Sequence, residues 1–139
     1  MSLEVEARER FRFYKLNSSQ KKILLEKIGK LLENRKEVLL AFGYGSFLKN
    51  MPFRDIDIAV YLDQKIDHLN YKFKLDKTFS DSIKLPVDTR VLNRAPPWFT
   101  AKVIEEGKKL TERVPLLTEK LYLKALDEKA KIIYTKETV

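Results

Sequence analysis

At 139 residues, 44% of them hydrophobic, the chain is long enough to enclose one real core and too short for two comfortable ones, so a single domain over residues 1–139 is expected. It has no cysteine and one histidine, His68, which excludes disulfides, thiolate metal sites and multi-histidine centres and leaves acid–base chemistry to carboxylates. The formal net charge of +8 suits nucleotide phosphates or nucleic acid, but the basic residues are dispersed, and a Lys- and Glu-rich, Gln-poor composition reads more simply as that of a thermophile; nucleic acid is not expected as the primary ligand.

Residues 1–16 are charged, with Phe11, Phe13 and Tyr14 interleaved, and suit a helix or an extended arm equally. Nothing in Glu4–Arg10 resembles the apolar stretch of a secretory signal, and no run approaches the roughly eighteen apolar residues of a membrane span, so a cytoplasmic protein with no membrane partner is expected. Ser18 or Ser19 offers an N-cap, and Ile23, Leu24, Ile28, Leu31 and Leu32 recur at helical spacing to about Asn34. Val38–Tyr44 is a continuous apolar run, as in a strand buried on both faces, and it breaks at Gly43-Tyr44-Gly45-Ser46. Beyond Pro52, the strand Asp55–Leu62 places Asp55 and Asp57 on one face and Ile56, Ile58 and Val60 on the other. A helix over Asp67–Ser82 follows, then a strand over Pro86–Asn93 in which Asp88 and Arg90 share a face against Val87, Thr89 and Val91. Pro96 and Pro97 suit the first turn of a helix that stops at Gly107, Lys108–Arg113 suits a short edge strand, and Pro115 precedes a last helix from Leu116 to about Tyr134.

Alternation of apolar strands with amphipathic helices predicts an α/β (α+β) domain, a small mixed β-sheet with Val38–Tyr44 and Asp55–Leu62 as central strands and helices packed on one face. The core spans about residues 18–113 and the C-terminal helix about 115–135. No internal repeat is present.

Two carboxylates beside a hydrophobic sheet are costly unless a cation sits between them, and oxygen-only ligands suit Mg²⁺ or Mn²⁺. Gly45 permits a tight turn close to a phosphate, and Ser46 offers it a hydroxyl and a backbone N–H. Lys49 and Arg54 read as loop solvation, Arg90 either steadies Asp88 or faces a phosphate, and Trp98-Phe99 reads more readily as core or interface than as a stack for a base.

The ordered set of Gly45-Ser46, Asp55-x-Asp57 and Asp88, spread over residues 24–110, resembles the minimal nucleotidyltransferases (MNT) of the DNA polymerase β-like superfamily. The resemblance implies a polymerase β-like nucleotidyltransferase fold and Mg²⁺-dependent transfer of a nucleotide, AMP from ATP or another NTP, to an acceptor hydroxyl. It further implies that Gly45 and Ser46 bind the nucleotide, and that Asp55, Asp57 and Asp88 are catalytic and hold metal, Asp88 completing a two-metal site or serving as general base. Small members of the family are antitoxins that modify an HEPN-type partner, a ribonuclease toxin whose spaced Arg–His motif this chain lacks. A module that neutralises a partner by contact alone, and a small-molecule nucleotidyltransferase, are the alternatives; a homo-oligomer stays open. The connection Phe47–Arg54 is shorter than the family pattern and has Asn50 where a glycine is common.

Overall fold

The structure, a computed structural model, describes residues 12–138. The segment ahead of them, Phe11 included, lies outside the described residues. In chain order the elements are α1 (Ser18–Glu33), β1 (Val38–Tyr44), a 3₁₀ turn (Ser46–Leu48), β2 (Ile56–Leu62), α2 (His68–Ile83), β3 (Val87–Val91), α3 (Pro97–Glu106), β4 (Lys108–Glu112) and α4 (Leu117–Thr138). The sheet runs β3-β2-β1-β4, with β2 and β3 parallel and the other pairs antiparallel, so the two central strands are those expected. No helix among the described residues is long and apolar enough to cross a membrane.

Helices cover both faces of the sheet, not one. On the first face, Ile28 and Leu32 of α1 and Leu75 and Phe79 of α2 close over Ile56, Ile58, Val60 and Leu62. On the second, Phe99 and Val103 of α3 pack on Leu40, Phe42 and Ala59, and α4 lies against α3. The continuous apolar run of β1 demands this: a strand without a polar side has no face to leave in water. The second layer packs on β1 and on Ala59 of β2, and beside it the same face carries Asp57 of β2 and Asp88 and Arg90 of β3.

The N-cap of α1 is Asn17, one residue ahead of the serines proposed for it. Its side chain accepts from Gln20 N at 2.8 Å while the Gln20 side chain accepts from Asn17 N at 2.9 Å, a reciprocal pair that needs Gln at the third helical position. Tyr14 is extended and bridges Phe53 in both directions, at 2.8 and 3.0 Å, tying the arm to the loop before β2. The nearly buried Lys21 completes this anchor: its Nζ donates to Lys49 O at 2.6 Å from between the rings of Phe47 and Phe53. Gly107 ends α3 as expected, but through close approach: a Cβ there would stand 2.8 Å from Gly43 O.

Beyond β3, the Asn93 side chain acts as one more strand residue, accepting from Leu62 N at 2.9 Å and donating to Leu62 O at 2.8 Å. Two hydrogen bonds at about 0.5–1.5 kcal/mol each make Asn93→Ala cost about 1–3 kcal/mol. Thermal melting of the variant should show a fall of several degrees, and Asn93→Asp should not restore the loss, because a carboxylate would then face the Leu62 carbonyl.

Candidate active site

Parallel pairing of β2 with β3 sets Asp57 directly beside Asp88, and antiparallel pairing of β2 with β1 sets it beside Tyr44. Tyr44, Asp57 and Asp88 thus form one row across three strands, which starts under α3, where the Tyr44 ring meets Phe99 edge-on at 5.4 Å, and runs out to the β3 edge. Asp55 lies just before β2, half-buried, within electrostatic reach of both other aspartates. Burial, then the charge of Asp88, then that of Asp55 push the Asp57 carboxyl up to about 6, with Arg90 opposing. Burial and Asp88 raise Asp55 as well. Burial and the Asp57 charge hold the Tyr44 phenol well above its usual range, so it remains a neutral hydroxyl.

Gly45 follows Tyr44 with φ +80°, a left-handed conformation that disfavours any other residue, and a Cβ at this position would stand 2.6 Å from Asp57 Oδ2. The turn therefore lies on the carboxylate itself. Ser46 opens the 3₁₀ turn, half-buried, with Lys49 N bonded to its carbonyl, and its hydroxyl makes no hydrogen bond among the described residues. A cleft of about 300 Å³ runs past Gly45 and Asp57, with Lys49, Arg90 and Lys102 as its cations and Trp98 and Phe99 as its apolar wall.

Asp88 has a partner that the strand pattern concealed. Its Oδ1 accepts from Lys72 Nζ at 3.0 Å, and the same ammonium meets Asp76 Oδ2 at 2.7 Å. Asp76 Oδ1 in turn accepts from both the N–H and the hydroxyl of Thr89, each at 2.7 Å. This chain of contacts caps the free edge of β3 and grips Asp88 from around that edge. Lys72 and Asp76 are four apart on a helix, a legible pair, but nothing in their spacing points to a strand sixteen residues from Lys72. Arg90, by contrast, sits 5.5 Å over the Phe99 ring and faces Asp57 across the cleft.

All-carboxylate donors that raise one another's proton affinity fit a hard divalent cation. Among the described residues no three His, Cys, Asp or Glu side chains stand close enough together to hold an ion, and Asp88 is engaged by Lys72.

Residues 26–115 match the family described as "Polymerase beta, Nucleotidyltransferase". None of the curated proteins compared by sequence matches the chain. Among solved structures, the toxin–antitoxin complex MntA–HepT aligns at 22% identity over 84% of this chain and 93% of that one, with a TM-score of 0.66. A complex of a tri-AMPylated Shewanella oneidensis HEPN toxin with an MNT antitoxin aligns at 22% over 85% and 93%, with a TM-score of 0.67. A toxin–antitoxin structure with AMP-PNP aligns at 22% over 88% and 94%, with a TM-score of 0.64. At this identity the likeness establishes the fold, including the polymerase β-like arrangement of the strands.

Two outcomes follow from the geometry. Asp57 is near 3.8 in an unfolded chain and about 6 in the folded protein, so the folded state takes up its proton first, and the charge weighs against folding as pH rises through 6. In EDTA, Asp57→Asn should therefore melt above the parent at pH 8, by a few degrees for on the order of 1 kcal/mol after solvent screening, and lose that advantage by pH 4. A lower melting temperature at pH 8 would mean that the carboxylate is structural. Gly45→Ala should destabilise by about 1–3 kcal/mol in chemical denaturation, from the backbone alone, with the displaced Asp57 adding to it.

Proposed function

The chain belongs to the polymerase beta nucleotidyltransferase family, and on that footing we propose that it transfers a nucleoside monophosphate, AMP from ATP, to a hydroxyl of an HEPN-type partner protein, acting as an antitoxin. The observation that carries this reading is the contact of the Gly45 turn with Asp57 in a row that continues to Asp88. A phosphate-binding turn and a carboxylate cluster are of use to the same nucleotide only when they touch. The HEPN partner is suggested by the fold likeness to the antitoxin complexes, and the use of ATP by the neighbour with AMP-PNP.

In this reading the triphosphate lies along the 300 Å³ cleft, its oxygens meeting the Gly45–Ser46 backbone, the Ser46 hydroxyl and the side chains of Lys49 and Lys102. Asp55 and Asp57 would hold Mg²⁺ or Mn²⁺, which would supply neutralisation of charge on the phosphate oxygens. Asp88 has one oxygen held by Lys72 and the other without a hydrogen bond among the described residues, which orients it to accept the proton of the attacking hydroxyl. That hydroxyl oxygen bonds to the α-phosphorus, the bond to the β-phosphate breaks, and pyrophosphate leaves. Arg90, on the same face as Asp88 and bordering the cleft, stabilises charge on the transferring group.

The Lys72 grip on Asp88 also favours a second reading, in which the chain neutralises its partner by contact alone. Incubation with α-labelled ATP, Mg²⁺ and the HEPN-type partner separates the two. Label should appear on the partner, Asp57→Asn should abolish it, and Ser46→Ala should weaken ATP binding roughly ten- to a hundredfold, the loss of one hydrogen bond to a charged group. An unlabelled but fully neutralised partner would establish the contact mechanism instead.

A further inference from the structure

The Lys72 ammonium stands in contact with the aspartate row. Its Nζ lies 3.0 Å from Asp88 Oδ1 and 2.7 Å from Asp76 Oδ2, on a side chain that is only 23% exposed. It cannot drift away at will, because Asp76 is fixed in turn by the N–H and the hydroxyl of Thr89, each at 2.7 Å. Burial works against its charge, but the hydrogen bonds to Asp76 and Asp88 outweigh burial and hold its pKa above the ordinary value, so Lys72 stays an ammonium wherever the aspartates are ionised. It stands in a second and larger cavity, of about 650 Å³, which opens between the start of α2 and the start of α3 and shares Arg90, Trp98 and Phe99 with the smaller cleft. Asp57 borders the smaller cleft alone, so Asp88 is met from a compartment that its neighbour in register does not reach.

The sequence leaves Asp88 two roles, completing a two-metal site or serving as general base. We propose that the site takes one divalent cation, at Asp55 and Asp57, and that the Lys72 ammonium, pinned by Asp76, occupies on Asp88 the place of a second. The proposal rests on the reading of the smaller cleft as the ATP site. One or two carboxylates, with phosphate oxygens and water, suffice for a Mg²⁺ shell. A second ion shared with Asp88 needs a third converging carboxylate, and among the described residues no three acidic side chains converge on one point. A dication brought to Asp88 would also stand within a few ångströms of the ammonium, and that repulsion is relieved only by pulling Lys72 off Asp88 or off the anchored Asp76. Basicity follows the same way. A dication withdraws more of a carboxylate's proton affinity than a single ammonium does, so Asp88 keeps an oxygen able to take the proton of the attacking hydroxyl. Lys72 acts through Asp88 and is a positioning residue.

The test counts ions. The full-length protein with AMP-PNP at saturation is dialysed against Mn²⁺, and the Mn²⁺ bound per chain is measured together with its electron paramagnetic resonance spectrum, in which two ions about 3.5–4 Å apart couple and a single ion does not. The parent should hold one Mn²⁺ per chain, uncoupled. Lys72→Met, which removes the charge but keeps an unbranched stem beside Phe73, should hold two that couple, and Lys72→Arg should behave as the parent. Two coupled ions on the parent would overturn the proposal, as would a Lys72→Met variant, folded by circular dichroism, that still holds one. The count on the parent decides the matter even where Lys72→Met does not fold. Binding is read without turnover. One ion on the parent with no labelling of the partner would sink the transfer reading and leave Lys72 in this role, whereas two coupled ions with a labelled partner would sink this inference alone, and a parent that binds no Mn²⁺ would sink both.

Discussion

The parallel register of β2 and β3 is the constraint from which the rest of the site follows. It sets Asp57 beside Asp88, and the other side of the same strand decides that it cannot do otherwise. Ile56, Ile58 and Val60 are fully buried against α1 and α2. A slip by one residue would turn those three out and drive Asp57 into the core, at a cost of several side-chain transfer energies of about 1.5–3 kcal/mol each. The carboxylates are thus held together by hydrophobic burial on the opposite face, against their own repulsion. What moderates that repulsion differs from one to the next. Asp88 has the Lys72 ammonium in contact, whereas Asp57 has only the more distant Arg90 and retains a carboxyl raised to about 6. The unneutralised member of the row is the one that the Gly45 turn touches.

Precision at this point depends on how little the surrounding backbone can move. The loop that leads from the turn to β2 is short, and it is pinned twice: Lys21 holds the Lys49 carbonyl, and Tyr14 pairs with Phe53. On the other flank, Asp76 occupies both the N–H and the hydroxyl of Thr89, the residue after Asp88. An edge strand would otherwise present that N–H to solvent or to another chain. The same two side chains, Lys72 and Asp76, therefore close an edge and orient a carboxylate, which makes them positioning residues whose removal would loosen both.

How far the site was legible in the sequence depended on the range over which each interaction acts. Strand periodicity is a local property, and Asp55-x-Asp57 with Ile56, Ile58 and Val60 declared its two faces; the bounds of β1 were equally plain, because seven apolar residues end at a glycine turn. Ser18 and Ser19 have the residue type of an N-cap, but the cap is set by reciprocity with Gln20, three residues beyond Asn17, and neither serine has such a partner. The two-sided covering of the sheet is implicit in the unbroken apolar run of β1, which demands burial on both faces without specifying which helices supply it. Lys72 could not have been singled out: its link to Asp88 exists because α2 runs alongside the edge of β3, a tertiary fact. Trp98 and Phe99 are one aromatic pair in sequence, whereas the helix turns them apart, Phe99 into the second core layer and Trp98 to the rim between two cavities.

That separation bears on the meaning of the net charge. A dispersed excess of lysine is weak evidence for a phosphate ligand, because exposed charges more than about 10 Å apart are screened at ordinary salt. Charges that converge on a concave surface act together, since low-dielectric walls on either side focus their field. Lys49, Arg90 and Lys102 converge on one cavity and Lys72, Arg90 and Arg94 on the other, with Arg90 common to both. Composition alone sets how many lysines there are. It does not explain why Arg90 and Arg94 line the larger cavity with no Asp or Glu among its lining residues, its third cation, Lys72, being held by Asp76 and Asp88. The local arrangement, not the total, is what concentrates positive charge on this face of the sheet.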